Sequence, residues 1–168
     1  MIIRNFQSLS ANSAKKDALS IIKAGLVAAN PRISLEEKII KKNTLILPGR
    51  KINLRKYQRV FIVAVGKAGH TMTCAMDSLI HVDGGLVVVP NKFKMVGKKF
   101  KVIHAGHPIP NKNSLVAAKT IFEFLGNTGS GDLVIFLISG GASSLVAMPD
   151  GITLGEKRIT TNLLIKSG

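Results

Sequence analysis

The sequence has one cysteine, no tryptophan, one tyrosine and few acidic residues. The lone thiol, Cys74, excludes a disulfide within the chain and a thiolate metal cluster, and it favours a reducing, cytoplasmic setting. No apolar run approaches the ~20 residues that cross a membrane, and residues 1–17 lack the apolar core of a signal peptide. We therefore expect a cytoplasmic chain without a membrane partner.

The scarcity of acids gives a formal net charge of +15, from 24 Lys and Arg against 9 Asp and Glu. Of the basic residues, 18 are lysine, whereas arginine is the usual residue for bidentate recognition of phosphates and bases. The composition predicts attraction to polyanions such as nucleotides, and it does not favour specific nucleic-acid binding. Non-specific nucleic-acid binding through residues 92–101 is an alternative, although Phe93 and Phe100 make a poor stacking platform. A lysine-rich surface without a ligand explains the same composition.

The pattern of apolar residues predicts a single α/β domain over residues 1–168. The length and the hydrophobic content of 46% fit one well-buried core. Three runs are typical of strands buried on both faces, and a fourth strand is short: residues 60–65, 85–89, 133–138 and 102–104. Helical spacing predicts helices over 14–30 (ended by Pro31), 68–79, 114–125 and 153–165, and a Pro-Gly turn follows an apolar run at 44–47. This order indicates a Rossmann-like, mostly parallel sheet with helices on both faces.

The first motif is VGKAG, residues 65–69, where a predicted strand runs into a helix. Gly66 would let a phosphate approach the backbone, and Lys67 would add a positive charge at a helix N-terminus. The motif is not a Walker loop, which needs a glycine where Phe61 stands. It is not a dinucleotide fingerprint either, because only two of the three glycines are present and no acid follows the next strand. A tight turn with a solvated lysine is the alternative interpretation.

The second motif is ISGGASSL, residues 138–145, at the end of another predicted strand. It predicts an anion cradle of backbone amides and hydroxyls, formed by Ser139, Gly140, Gly141, Ala142, Ser143 and Ser144. Ser143 or Ser144 is also a candidate cap for a short helix. A nucleophile elbow is excluded because its second glycine is missing. A capping loop without a ligand is the alternative.

The third motif is GHPIPNKNS, residues 106–114, a loop stiffened by two prolines. Asn113 or Ser114 is a candidate cap for the helix that follows. His104 and His107 lie three residues apart without a nearby carboxylate, so no metal site is assigned to them. A plain surface loop is the alternative.

These three motifs, followed by DGITL at residues 150–154, resemble the glycerate 2-kinase family in register from about Ala14 to Gly168. The resemblance implies conversion of D-glycerate and ATP into 2-phosphoglycerate and ADP with Mg²⁺, a step of carbohydrate metabolism. It implies that Lys67 is the active-site lysine, that Gly66 and residues 139–144 bind phosphate or nucleotide, and that His107 and Asn111 belong to the substrate loop. The family usually has Asp where this chain has Asn111. A dehydrogenase activity, which some family names suggest, is disfavoured by the missing dinucleotide fingerprint.

Length is the larger departure, because family members are well over twice as long and carry a catalytic arginine and the MOFRL domain beyond this point. The resemblance therefore implies a truncated product, a split-gene half or a fragment, inactive alone and completed by that domain or by a separate chain. Asp132 and Asp150 are the only carboxylates expected near the ligand edge, so the metal ligands and any general base are expected in the missing part. A nucleotide- or polyanion-binding module without catalysis is the alternative, and a homo-oligomer is compatible with the sequence.

Overall fold

The computed structural model describes residues 3–38, 40–41, 43–90 and 98–168. These residues form seven α-helices, seven strands and one short 3₁₀ helix at Leu54–Lys56. The helices are α1 (Phe6–Leu9), α2 (Ser13–Ala28), α3 (Pro31–Lys38), α4 (Gly69–Leu79), α5 (Lys112–Gly126), α6 (Ala142–Leu145) and α7 (Leu154–Ser167). The strands are β1 (Ile40–Lys41), β2 (Thr44–Leu47), β3 (Arg50–Asn53), β4 (Arg59–Val65), β5 (Gly84–Val89), β6 (Phe100–His104) and β7 (Asp132–Ile138).

Four strands form the main sheet in the order β6-β5-β4-β7, and every pair in it is parallel. All four were predicted from their apolar runs, and the predicted α/β class with a parallel sheet and helices on both faces is confirmed. The β-branched runs explain the result, because such side chains pack well on a pleated sheet that is covered on both sides.

Successive residues of β4 face opposite sides of the sheet and so build two separate cores. Ile62 and Ala64 pack on one side with Met76 of α4. Val63 packs on the other side with Ala117 of α5. The period of two along a strand causes this division, and it places α4 and α5 on opposite faces.

A second, antiparallel sheet of β1, β2 and β3 was not predicted beyond the run at 44–47. The predicted turn after β2 is present, with Gly49 at a φ of +71°. Strand β3 escapes prediction because its sequence, RKIN, is polar and only Ile52 packs against the core. Helix α3 was also missed: Pro31 ends α2 but begins α3, since proline is well tolerated at the first position of a helix.

Strand β7 is less buried than its sequence predicts, because it forms an edge of the main sheet. Only Leu137 is buried, while Phe136 is 47% exposed and Ile138 is 68% exposed. The prediction of a strand buried on both faces is therefore wrong for residues 133–138. Helices α2 and α7 have no buried residue. No helix in the described ranges is both long enough and apolar enough to cross a bilayer.

Candidate functional site

The topology creates a crevice at the carboxyl ends of β4 and β7. From β4 the chain passes through α4 to β5 on one side, and it later returns through α5 to place β7 on the other side of β4. The loop after β4 leads to α4, whereas the loop after β7 leads to α6, whose Leu145 packs in the core below α5. Loops that leave neighbouring parallel strands toward opposite faces open the usual ligand crevice of such sheets.

Gly66 is required where these two strand ends meet. It has a φ of +128°, and a Cβ at this position would lie 2.2 Å from Ser139 Oγ and 2.6 Å from Ser139 O. Its amide donates to Val88 O of the neighbouring strand at 3.1 Å. Glycine is therefore explained here by the close approach of two backbones.

Lys67 is joined through its backbone to residues 139–144 of the second motif, here called the Gly/Ser loop. Its amide donates to Gly140 O at 3.0 Å, and the next amide, of Ala68, donates to Ser139 Oγ at 3.0 Å. Ser139 N returns a bond to Val65 O at 3.0 Å. The Lys67 side chain itself is exposed. The structure thus brings the first two motifs together, but the amides of Lys67 and Ala68 are used to hold them together.

The open backbone donors lie in the Gly/Ser loop. Within the described ranges, the amides of residues 140–143 make no hydrogen bond. Gly140 and Ser143 are exposed, and a Cβ at Gly140 would meet no atom within 4 Å. The predicted helix cap is wrong: Gly141, at a φ of +91°, is the N-cap of α6, and buried Ser144 donates its hydroxyl to Gly141 O at 2.9 Å. Four adjacent amides of this loop therefore have no hydrogen-bond acceptor in the described part of the chain.

His107 brings the third motif to the same place. A Cβ on Gly141 would lie 2.5 Å from His107 Cδ2 and 2.6 Å from His107 Nε2, so the imidazole lies directly against the Gly141 α-carbon. Gly106, just before it, is equally confined, with a Cβ position 2.3 Å from Ile109 O. The half-exposed His107 ring is therefore part of the wall of the crevice.

Asn111 caps helix α5. Its side-chain oxygen accepts from Ser114 N at 3.2 Å, and Ser114 Oγ accepts from Asn111 N at 3.1 Å, which completes a capping box. The predicted cap at Asn113 or Ser114 is wrong; Asn113 instead donates through Nδ2 to His104 O at 2.8 Å. Aspartate caps helices about as well as asparagine, so the exchange at position 111 preserves this local bond.

Asp132 lies at the amino end of β7, whereas the crevice lies at the carboxyl ends of the strands. The prediction that Asp132 lies near the ligand-binding end of the sheet is therefore wrong. It begins β7, and about 20 Å of extended strand separates it from Ser139. Two hydrogen bonds from Arg59 and one from the Gly129 amide hold the pKa of the Asp132 carboxyl below its usual value. Asp150 is exposed in the segment between α6 and α7. Across the described part of the chain, no three His, Cys, Asp or Glu residues form a metal-binding group.

The lysine-rich stretch at 92–101 is described only from residue 98 onward, so Lys92, Phe93 and Lys94 lie outside the described residues. Lys99 is engaged by the fold: its ammonium pairs with Asp77 and donates to Val82 O at 3.2 Å. This part of the stretch is therefore tied to the helix–strand connection before β5.

Comparison with known proteins gives consistent matches over most of the chain. A family model described as "Domain of unknown function (DUF4147)" matches residues 17–168. A glycerate 2-kinase from Pyrococcus horikoshii is 34% identical over 152 residues, which are 89% of this chain and 34% of that protein. A D-glycerate 2-kinase from Thermotoga maritima is 32% identical over 93% of this chain and 35% of that protein. A relative from Agrobacterium vitis, 32% identical over 93% of this chain, carries a provisional hydroxypyruvate reductase name.

Two solved structures share the fold. A crystal structure of a Pyrococcus horikoshii protein matches with a TM-score of 0.76 at 32% identity, over 94% of this chain and 36% of that one. A crystal structure of a Thermotoga maritima glycerate kinase matches with a TM-score of 0.70 at 31% identity, over 90% of this chain and 34% of that one. The chain thus spans about a third of the length of the relatives that it matches.

Proposed function

The chain belongs to the DUF4147 family, the N-terminal domain of glycerate 2-kinases, and on this premise we propose that it forms the phosphate-binding part of an ATP-dependent D-glycerate 2-kinase. The observation that carries the proposal is the meeting of exposed Lys67 with the four open amides of residues 140–143 at one crevice. An ammonium group and adjacent backbone amides are the groups that bind phosphate oxygens without a metal. Relatives named glycerate 2-kinase support the same reaction.

In this proposal Lys67 stabilises negative charge that grows on the transferring phosphoryl group, and the amides of residues 140–143 hold phosphate oxygens of ATP or of the product. The hydroxyls of Ser139 and Ser143 can add donors, since Ser139 Oγ accepts one bond from Ala68 and keeps its hydrogen. His107 contacts the substrate from the wall of the crevice, while Asn111 supports that loop by capping α5.

Mg²⁺ accompanies ATP in this proposal, but the described residues fit the phosphates rather than the metal. Magnesium sites in proteins use one or two carboxylates beside the substrate phosphates, and the loops that meet at the crevice, residues 66–69, 106–111 and 139–145, contain no Asp or Glu. No metal ligand and no general base is assigned to this chain. Both are proposed to come from a second polypeptide or domain. We propose that the 168-residue chain alone is inactive and that it resides in the cytoplasm.

A module that binds nucleotides or polyanions without catalysis is the second candidate. The net charge of +15 and the open amides favour it, because both serve binding and neither requires a second polypeptide or domain. The two candidates predict the same binding by the isolated chain, and they differ in whether glycerate phosphorylation appears once the chain is completed.

The test combines binding with turnover. We expect the isolated chain to bind ATP in calorimetry and to release no ADP with D-glycerate, ATP and Mg²⁺. Gly140→Val should weaken ATP binding by about tenfold to a hundredfold, the loss of one hydrogen bond to a charged group, without changing the urea midpoint. Gly126→Val is the matched control, because its added side chain also enters open space but lies at the end of α5.

Three outcomes would reject parts of this proposal. Turnover by the chain alone at ordinary kinase rates, ~1–100 s⁻¹, would show that it needs no second polypeptide or domain. Normal ATP binding by Gly140→Val would remove the cradle assignment. ATP binding that never leads to 2-phosphoglycerate, even with the remaining two thirds of a relative present, would favour the binding module.

A further inference from the structure

The small antiparallel sheet lies in a part of the chain whose positive charge is not balanced by acids. Residues 38–76 contain no Asp or Glu, whereas eight Lys and Arg occur between residues 38 and 59. Three of the six arginines of the chain are among these eight, although lysine dominates the whole composition. Arginine pairs bidentately with phosphates and stacks on aromatic rings. This segment therefore has the phosphate-binding character that the overall composition lacks.

Four of these cations are exposed and have no ionic partner. Arg59 is not one of them, because it pairs with Asp132. Within the described ranges, no salt bridge involves the four exposed cations Arg50, Lys51, Arg55 and Lys56, here called the basic segment. They occur within seven consecutive residues, which span at most about 22 Å when fully extended. Their charge is therefore concentrated in a small area that is open to solvent.

The local fold holds the basic segment at the surface. In β3, Ile52 packs against the core, so its neighbour Lys51 is directed to the opposite, outer face of the small sheet. Buried Leu54 begins the short 3₁₀ helix, and the side chain of Asn53 caps this helix by accepting from Arg55 N at 3.0 Å. The cations on both sides of Leu54 are therefore held outward by an ordered backbone.

A polar pocket of about 160 Å³ lies beside the basic segment. Arg55 and Tyr57 line this pocket, and its wall includes side chains that donate and side chains that accept hydrogen bonds: Asn43, Gln58, His81 and Asp83. Val60, the second residue of β4, also lines the pocket and donates its amide to Asp83 Oδ2 at 2.8 Å. The pocket thus lies at the amino end of β4. About 20 Å of strand separates it from the crevice.

We propose that the basic segment and this pocket bind a single-stranded nucleic acid. The phosphates contact Lys51, Arg55 and Lys56, and one base enters the pocket against the ring of Tyr57. A base suits the pocket because its edge carries both donors and acceptors, as the lining does, and its face stacks on an aromatic ring. Since most contacts are made with phosphates, the binding does not depend on sequence.

Two other polyanions fit this surface less well. Polybasic segments that bind anionic membranes also insert apolar side chains, whereas Ile52 and Leu54 of this segment are directed into the core. An acidic peptide would bring its carboxylates beside Asp83, whose negative charge repels them. The pocket and the crevice lie at opposite ends of β4, so strand binding would hold whether or not the chain takes part in glycerate phosphorylation.

The test is fluorescence anisotropy with a labelled strand of about 20 thymidines, between about 0.05 M and 0.2 M salt. Each phosphate contact on a single strand contributes about −0.7 to the slope of log K against log salt. Arg55→Gln combined with Lys56→Gln should therefore reduce the slope by about 1.4 and weaken binding by about tenfold to a hundredfold at the lowest salt. The matched control is Lys15→Gln combined with Lys16→Gln, which removes the same charge from exposed α2 and should bind within about twofold of the parent.

The role of the pocket is tested separately at Tyr57. Tyr57→Ala should weaken binding by about fivefold to a hundredfold, the loss of one stacked base, whereas Tyr57→Phe keeps the ring and should bind as the parent does. Gly140→Val, which changes the crevice, should leave strand binding unchanged. Urea midpoints verify that each variant is folded, and Tyr57→Phe keeps the test valid if Tyr57→Ala unfolds.

Four results would overturn the proposal. The first is an absence of strand binding at about 0.05 M salt. The second is an equal loss of affinity in the Lys15 and Lys16 control, which would indicate a general effect of net charge. The third is a loss of binding in Gly140→Val or in Tyr57→Phe. The fourth is binding to phosphatidylserine vesicles through Arg55 and Lys56 without binding to the strand.

Discussion

Replacing Gly141 by alanine tests whether the second and third motifs really meet. The new Cβ has two costs that the structure separates. The left-handed φ of +91° costs a residue with a Cβ about 1–2 kcal/mol. The contact of that Cβ with the His107 ring, at 2.5 Å from Cδ2, forces repacking at about 1–3 kcal/mol. We therefore expect Gly141→Ala to lower the free energy of unfolding by about 2–5 kcal/mol.

The two costs can be measured apart with a double-mutant cycle. His107→Ala removes the ring but leaves the backbone strain, so Gly141→Ala should cost only about 1–2 kcal/mol in the His107→Ala background. Gly140→Ala is the matched control at the neighbouring position, where the Cβ meets open space, and it should stay within about 0.5 kcal/mol of the parent. The assay is urea denaturation followed by circular dichroism.

The same cycle has a clear negative result. If Gly141→Ala costs the same with and without the His107 ring, then the ring does not lie on Gly141 in solution, and His107 is not part of the wall of the crevice. If Gly141→Ala is as stable as Gly140→Ala, then the left-handed conformation of residue 141 is also wrong.

Three further predictions follow from the charges of the molecule. In the completed enzyme Lys67→Ala should lower kcat by about 10²–10³ with a smaller change in the KM for ATP, because the charge that Lys67 meets grows in the transition state. A kcat within about threefold of the parent, or an equal loss in the control Lys119→Ala, whose exposed residue lies on α5, would contradict the assignment. The pKa of Asp132 is lowered through Arg59, so the contribution of Asp132 to stability is present at neutral pH and is lost as the pH falls below the usual value of 3.8. The urea midpoint of Asp132→Asn should therefore fall less than that of the parent between pH 5 and pH 3, and an equal fall would contradict this. Nucleic-acid binding, if measured by fluorescence anisotropy, should be independent of sequence and lost by about 0.2 M salt, and a preferred sequence bound above that concentration would contradict this.

The main sheet could be predicted because its strands are continuous β-branched runs between helical segments, a pattern with few other solutions. The small antiparallel sheet could not, since β3 is polar and is held by pairing with β2 rather than by burial. The apolar run of β7 has the same composition as an interior strand, so its exposed edge becomes visible only when the strand order is known.

The meeting of the three loops could be predicted from the sequence, whereas the helix caps and the place of Asp132 could not. The rule that ligands bind at the carboxyl ends of strands correctly placed Lys67 beside Gly140. The helix caps were assigned to the wrong residues because several good capping residues occur within one turn, and the backbone decides among them. Asp132 was misplaced because it is close in sequence to the Gly/Ser loop, but the full length of β7 separates the two.

The close approach of the Gly66 and Ser139 backbones affects how sequence variation in this family should be interpreted. A side chain at position 66 would collide with the backbone oxygen of Ser139 as well as with its hydroxyl, so exchanging Ser139 for a smaller residue would not make room. Invariance of Gly66 among relatives would then be explained by packing, even in members that bind no nucleotide. Gly140 has free space around it and an ordinary φ, so the fold alone would permit other residues at this position. Where relatives nevertheless keep Gly140, selection for a bound anion is the remaining physical reason.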